Sequence, residues 1–227
     1  MPYIRRKNNI LKLNGDTMII AFLALASVTS TSLPAISTDM EDWVLPLYGE
    51  EMQFDVKRNG KKIGEHFVTF KQENDTLIVK AGTKIRVKFL FITAYKFDYK
   101  AEETWQGNKL KTLTAYTNDN GDVSEVNYSY NDESSPLFST NHWNPNVLEA
   151  DHVLNTITGK TNDVTISKMG WENLSIQDKT VSALRHEYSG DLKDVTTWYD
   201  EQGRWVGLQF KGNDDSIISY ECNLCGI

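Results

Sequence analysis

The residues of this chain with the widest chemical range are four histidines and two cysteines, and their spacing limits what they can do. His66, His142, His152 and His186 form no H-E-x-x-H pair or other close ligand spacing. His142 and His152 flank a short segment that also holds Asp151. A zinc or hydrolytic site there would fall short of the usual ligand count. The alternative is a set of polar residues capping a loop. Cys222 and Cys225 stand near the C-terminus as C-N-L-C. In an oxidising compartment such a pair closes a small loop or bonds another chain. It ends a strand-like segment, so it lacks the helix N-terminus that activates a redox C-x-x-C. No G-x-S-x-G, P-loop or dinucleotide glycine pattern is present. Thr117 to Asp122 (TNDNGD) looks like a calcium loop, but its ligand spacing is wrong and it reads as a hairpin turn. Glu102 and Glu103 are adjacent on a strand, so their carboxylates diverge. No catalytic residue, metal or cofactor follows from these patterns.

The remaining chemistry is non-covalent. From Ile85 to Tyr99 the odd positions are Ile85, Val87, Phe89, Phe91, Thr93, Tyr95, Phe97 and Tyr99, while the even ones are mostly charged. A period of two puts rings on one face of a β-structure and charges on the other. Phe89, Phe91, Tyr95, Phe97, Tyr99 and Trp105 are the candidate ligand-binding residues. One reading makes this face a packed core, since large apolar side chains are mostly buried. The other makes it the concave wall of a groove for a lipid-like ligand, because a curved sheet can leave a cavity and little helix is available to cover it.

The elements that position this face are strands. As one strand, Ile85 to Tyr99 would span about 50 Å, so a bend, bulge or apolar corner is expected at Phe89 to Ala94. Asn59-Gly60 and Asn120-Gly121 are hairpin turns, because Asn and Gly accept the positive φ values required. Asn74-Asp75 and Gln106-Gly107-Asn108 mark further turns, and the succession implies a meandering antiparallel sheet. Asn144-Pro145 opens the one expected short helix, with Asn144 as cap. Strand signals resume at Val164 and run to Leu224. Trp205 has parity opposite to Val206, Leu208 and Phe210, which places it on the other face. The expected fold is mostly β: a curved antiparallel meander, as a half-barrel or open barrel, with one short helix.

The chain has 227 residues, 40% apolar and 24% charged, with a net charge of −7. This suits one globular domain and argues against a nucleic-acid surface. Arg5, Arg6, Lys7 and Lys12 precede an apolar run from Met18 to Val28, which contains the small-x-small site Ala24-Leu25-Ala26. That is the layout of a signal peptide; the alternative is an uncleaved N-terminal anchor, and Met18 is an alternative start. Cleavage after Ala26 would leave 20 basic and 30 acidic residues, a net charge of −10. The expected organisation is a signal peptide over 1–26, a flexible leader over 27–50 and one β-rich domain over 51–225, exported to the periplasm.

Lys61-Lys62-Ile63-Gly64, Ile85 to Phe97 and Trp143-Asn144-Pro145, with Leu154 to Gly159 and Gly203 to Leu208, resemble a family of uncharacterised exported bacterial proteins with a domain of unknown function. The resemblance covers roughly Phe54 to Tyr220. More distantly, the meander is similar in architecture to the half-barrels of periplasmic lipoprotein carriers, from which it departs in having little helix. That resemblance implies a periplasmic address and a hydrophobic groove. The expected function is non-enzymatic: binding or carriage of a lipid or other apolar small molecule on the aromatic face. The alternative is a structural or accessory subunit that binds a protein partner in a cell-envelope assembly.

Overall fold

The computed structural model describes residues 40–89, 92–131 and 137–227. The signal segment and cleavage site expected from the sequence lie outside the described residues. Six strands follow one another as an antiparallel meander: β1 (Glu51–Arg58), β2 (Lys61–Glu73), β3 (Thr76–Phe89), β4 (Ile92–Gln106), β5 (Lys109–Asp119) and β6 (Asp122–Ser129). Two short strands, β7 (Phe138–Ser139) and β8 (His152–Leu154), lead into a second meander. Its members are β9 (Thr161–Ile176), β10 (Lys179–Gly190), β11 (Val195–Asp200), β12 (Trp205–Lys211) and β13 (Ile217–Leu224). Pairing of β1 with β13 joins the two halves into one thirteen-stranded sheet, in the order β6-β5-β4-β3-β2-β1-β13-β12-β11-β10-β9-β8-β7. The sheet is open and half-barrel-like, and among the described residues only the β7–β8 pair is parallel. The mostly-β meander with a short helix is therefore the fold of the protein.

Local chemistry sets the hairpins. Asn59 and Gly60 sit at φ 47° and 79°, and Asn120 and Gly121 at 52° and 109°, the left-handed pair that a two-residue turn needs. Asn118 Oδ1 also accepts from the Gly121 N–H at 2.9 Å. The β9–β10 turn uses Gln177 and Asp178 at φ 50° and 62°, without glycine. The break expected at Phe89 to Ala94 is a hairpin: β3 ends at Phe89 and β4 starts at Ile92. Ile85 pairs with Phe97 and Val87 with Tyr95. Odd residues thus face odd residues as far as Val87 and Tyr95; beyond them the register shifts, and Lys88 pairs with Thr93 and Phe89 with Ile92.

Inward residues form layers across β2 to β5. Phe70, Val79, Glu103 and Leu113 make one row, and Val68, Ala81, Ala101 and Ala115 the next. His66, Thr83, Tyr99 and Thr117 follow, and then Gly64, Ile85, Phe97 and Asp119, towards the β3–β4 hairpin. Gly64 is held open by its neighbours: a Cβ there would lie 2.1 Å from the Lys84 carbonyl oxygen and 2.9 Å from Ile85 Cα.

The leader expected over 27–50 is corrected from Met40 onward. Met40–Asp42 is a 3-10 turn and Val44–Tyr48 is helix α1. Met40, Val44 and Tyr48 are spaced by four, so they share one helical face, and all three are buried. Tyr48 stacks on Phe70 at 5.4 Å, donates to the Trp143 carbonyl at 2.7 Å and accepts from the Trp205 N–H at 3.0 Å. This helix packs where β1 begins and β13 ends. The expected helix at Pro145 is a 3-10 helix over Pro145–Glu149, and Asn144 caps it by accepting from the Asn146 N–H at 3.1 Å. Cys222 and Cys225 form a disulfide, and Cys225 is fully buried.

Candidate functional site

The row His66–Thr83–Tyr99 is a polar layer between two apolar ones. Below it lies the core. Above it a cavity of about 670 Å³ extends towards the hairpin end of β3 and β4. Ile85, Val87, Tyr95 and Phe97 from β3 and β4 face Leu208 and Phe210 from β12 across this space, with Ile218 of β13 beside them. The mouth carries Arg58, Asp119, Lys211 and Asp214. Arg58 is ion-paired with Asp214. The loop 155–160 reaches the β6 edge, where Ser124 Oγ donates to the Ile157 carbonyl at 2.9 Å.

The floor is built from side chains that satisfy one another. His66 Nδ1 lies 2.8 Å from Thr83 Oγ1, and Thr83 also hydrogen-bonds the Tyr220 hydroxyl. Tyr99 donates to Asn141 Oδ1 at 2.9 Å, and its hydroxyl is 2.8 Å from that of Thr156. His142 Nδ1 is 3.3 Å from the Tyr188 hydroxyl. The Trp205 indole stands between the two imidazoles, 5.7 Å from each ring centre. Burial disfavours the charged imidazolium, which pushes His142 down to about 4. It pushes His66 down to about 3, with the neighbouring His142 adding to the effect. Both rings are therefore neutral at neutral pH. His66 Nε2 is buried and has no hydrogen-bond partner.

One row pair deeper, Glu103 fixes the segment that closes the floor. Its Oε2 accepts from the indole N–H of Trp105 at 2.9 Å and of Trp143 at 3.2 Å, and its Oε1 from Asn141 Nδ2 at 2.6 Å. Ser139 supplies a further hydrogen bond. Burial raises the Glu103 pKa against the pull of these donors. The carboxylate so ties β4 to residues 139–143, and through Asn141 it holds the Tyr99 hydroxyl. Glu102, its neighbour, points outward to Lys80 at 2.9 Å.

Of the residues expected to line a groove, Tyr95, Phe97 and Tyr99 come together on the cavity wall. Phe89 ends β3, and Phe91 lies outside the described residues. Trp105 does not line the cavity: it packs edge-on against Trp143 at 5.5 Å in the core. Its inward parity was legible, but its depth along the strand was not. Trp205 faces the same interior as Leu208, against expectation. The pairs Trp198–Gly207 and Tyr199–Trp205 show a bulge at Val206 that reverses the parity. His66, Tyr220 and Phe210 also line the cavity. Their inward alternation with Val68, Cys222 and Leu208 was the available signal.

The histidines flanking the short helix part company. His142 is buried in the floor, whereas His152 is exposed and lies 2.8 Å from Asp163. Among the described residues, no group of three or more His, Cys, Asp or Glu side chains is arranged to hold a metal ion. The arrangement as a whole offers apolar surface and a few fixed polar atoms.

Residues 54–223 match the family described as "Domain of unknown function (DUF6134)". No curated protein and no solved structure matches the chain.

Proposed function

We propose that this chain, which belongs to the DUF6134 family, is a non-enzymatic binding or carrier protein for a lipid-like or other apolar small molecule. The observation that carries this reading is the cavity of about 670 Å³ walled by Val87, Phe97, Leu208 and Phe210. Its volume falls in the range of roughly 300–1,000 Å³ typical of small-ligand sites, and such sites are mostly apolar with a few placed polar groups. Burial of ligand surface against these side chains would supply ~25 cal/mol per Å², before the costs of association.

An extracytoplasmic address belongs to the same reading. The Cys222–Cys225 disulfide suits an oxidising compartment. The basic and apolar run before Ala26 has the composition of an export signal. In the periplasm the protein would hold an apolar molecule away from water without changing it.

Native mass spectrometry of protein purified gently from a periplasmic extract tests this directly. The expected result is a reproducible lipid-sized mass increment that solvent extraction removes. Phe97→Asp places a charge on the cavity wall and is expected to abolish the increment while the protein stays folded. Retention of the increment by a folded Phe97→Asp variant refutes the assignment of the cavity as the binding site.

A further inference from the structure

The polar atoms and charges that line the cavity are unevenly distributed between its floor and its mouth. Among the described residues that line it, the polar atoms of the floor are largely committed to one another. Tyr99 is taken by Asn141 and Thr156, Trp205 Nε1 donates to the Gly207 carbonyl at 2.9 Å, and Tyr220 meets Thr83. His66 Nε2 is not: it is a buried ring nitrogen of a floor residue and has no partner. The residue is 5% exposed. A buried polar atom left unpaired costs free energy, so it marks a place where a ligand atom gains by arriving.

The surroundings of that nitrogen select the kind of atom. The floor residues His66, Thr83, Tyr99, Asn141, His142 and Tyr220 include no lysine or arginine. The two cations of the lining, Arg58 and Lys211, stand at the mouth with Asp119 and Asp214, and Arg58 is already paired. An anionic head group reaching the floor would lose its water and meet no counter-charge, which is unfavourable. A cationic one would meet neutral rings and the unpaired nitrogen without a carboxylate. A hydroxyl or carbonyl oxygen meets neither penalty, because neutral imidazole donates from one nitrogen and accepts at the other.

We propose that the cavity takes an uncharged amphiphile, inserted polar end first, whose hydroxyl or carbonyl oxygen hydrogen-bonds His66 Nε2 while its apolar body lies along Ile85, Phe97 and Phe210. This rests on the binding reading given above and adds the ligand class: a long-chain alcohol, ester or ketone rather than a fatty-acid anion or a phosphate. The polar mouth leaves the far end of the ligand near solvent. Selection comes from the absence of a lysine or arginine on the floor as much as from the unpaired His66 Nε2.

The test compares decanol with decanoate, titrated into the delipidated protein near neutral pH and followed by calorimetry. Decanol is expected to bind about tenfold tighter or more, a difference of about 1.4 kcal/mol. His66→Phe keeps an aromatic ring without the nitrogens and is expected to weaken decanol by about tenfold and leave decanoate unchanged. Nitrogen NMR of the wild-type histidines provides a readout that does not depend on the variant folding: the His66 Nε2 signal is expected to shift when decanol is added. Decanoate binding as tightly as decanol overturns the charge selection. An unchanged Nε2 signal on decanol binding overturns the His66 contact. If neither probe binds, the binding reading itself is overturned, an outcome distinct from the other two.

Discussion

Acidification from about pH 7 to about pH 5 should destabilise this protein through His66 and His142. Both rings are buried, and burial holds His66 at about 3 and His142 at about 4, against 6.5 for a free histidine. A group whose pKa is depressed by folding contributes stability that is fully present above the unfolded value and is lost as pH falls. Between pH 6.5 and the folded values, the unfolded chain takes up a proton at each ring and the native chain does not. Each unit in that window costs about 1.4 kcal/mol. Each ring therefore costs about 2 kcal/mol by pH 5, and the pair about 4 kcal/mol. A domain with a total stability of roughly 5–15 kcal/mol would lose a large share of it.

Glu103 works in the opposite direction. Its raised pKa means that the native state binds a proton before the unfolded state does, which offsets part of the loss. The assay must therefore be differential. Urea unfolding at both pH values would be run on the wild type, His66→Phe and His142→Phe, with linear extrapolation to water. Each variant is expected to lose about 2 kcal/mol less than the wild type on acidification, whatever its absolute stability. Equal pH slopes in all three proteins would refute the claim that these rings are neutral and desolvated in the fold.

Glu103→Leu should lower stability by on the order of 3 kcal/mol, because two indole N–H groups and the Asn141 amide lose their buried acceptor. Chemical denaturation measures it, and a cost below about 1 kcal/mol would show that the cluster re-pairs without the carboxylate. Gly64→Ala should cost more than about 2 kcal/mol, since its Cβ would meet strand backbone rather than a movable side chain. A thermal melt unchanged from the wild type would contradict the close approach of β2 to β3.

The individual hairpins were legible because they are local. Asn59-Gly60 and Asn120-Gly121 fix their turns through φ preferences that need no distant partner. The alternation from Ile85 to Tyr99 fixed one face because the side-chain period of a strand is two. It holds across the β3–β4 pair as far as Val87 and Tyr95, because Ile85 meets Phe97 and Val87 meets Tyr95 in an odd-to-odd register, and a register shift follows before the turn. Helix α1 left a fainter trace in the spacing of Met40, Val44 and Tyr48.

What the tertiary structure decided was depth and company. Parity put Tyr95, Phe97, Tyr99 and Trp105 on one face, but only the register across β2 to β5 placed the first three at the cavity and Trp105 in the core. The bulge at Val206 turned Trp205 inward, and a bulge depends on the partner strand rather than on the residues that form it. His66 and His142 stand 76 positions apart in the chain, yet share one indole. Their joint burial follows from the pairing of β1 with β13 and from the Glu103 cluster that seats residues 139–143. The sequence thus determined strands, turns and an apolar face, each a property of a few neighbouring residues. The cavity and its neutral floor depend on contacts between residues far apart in the chain, and only folding brings those together.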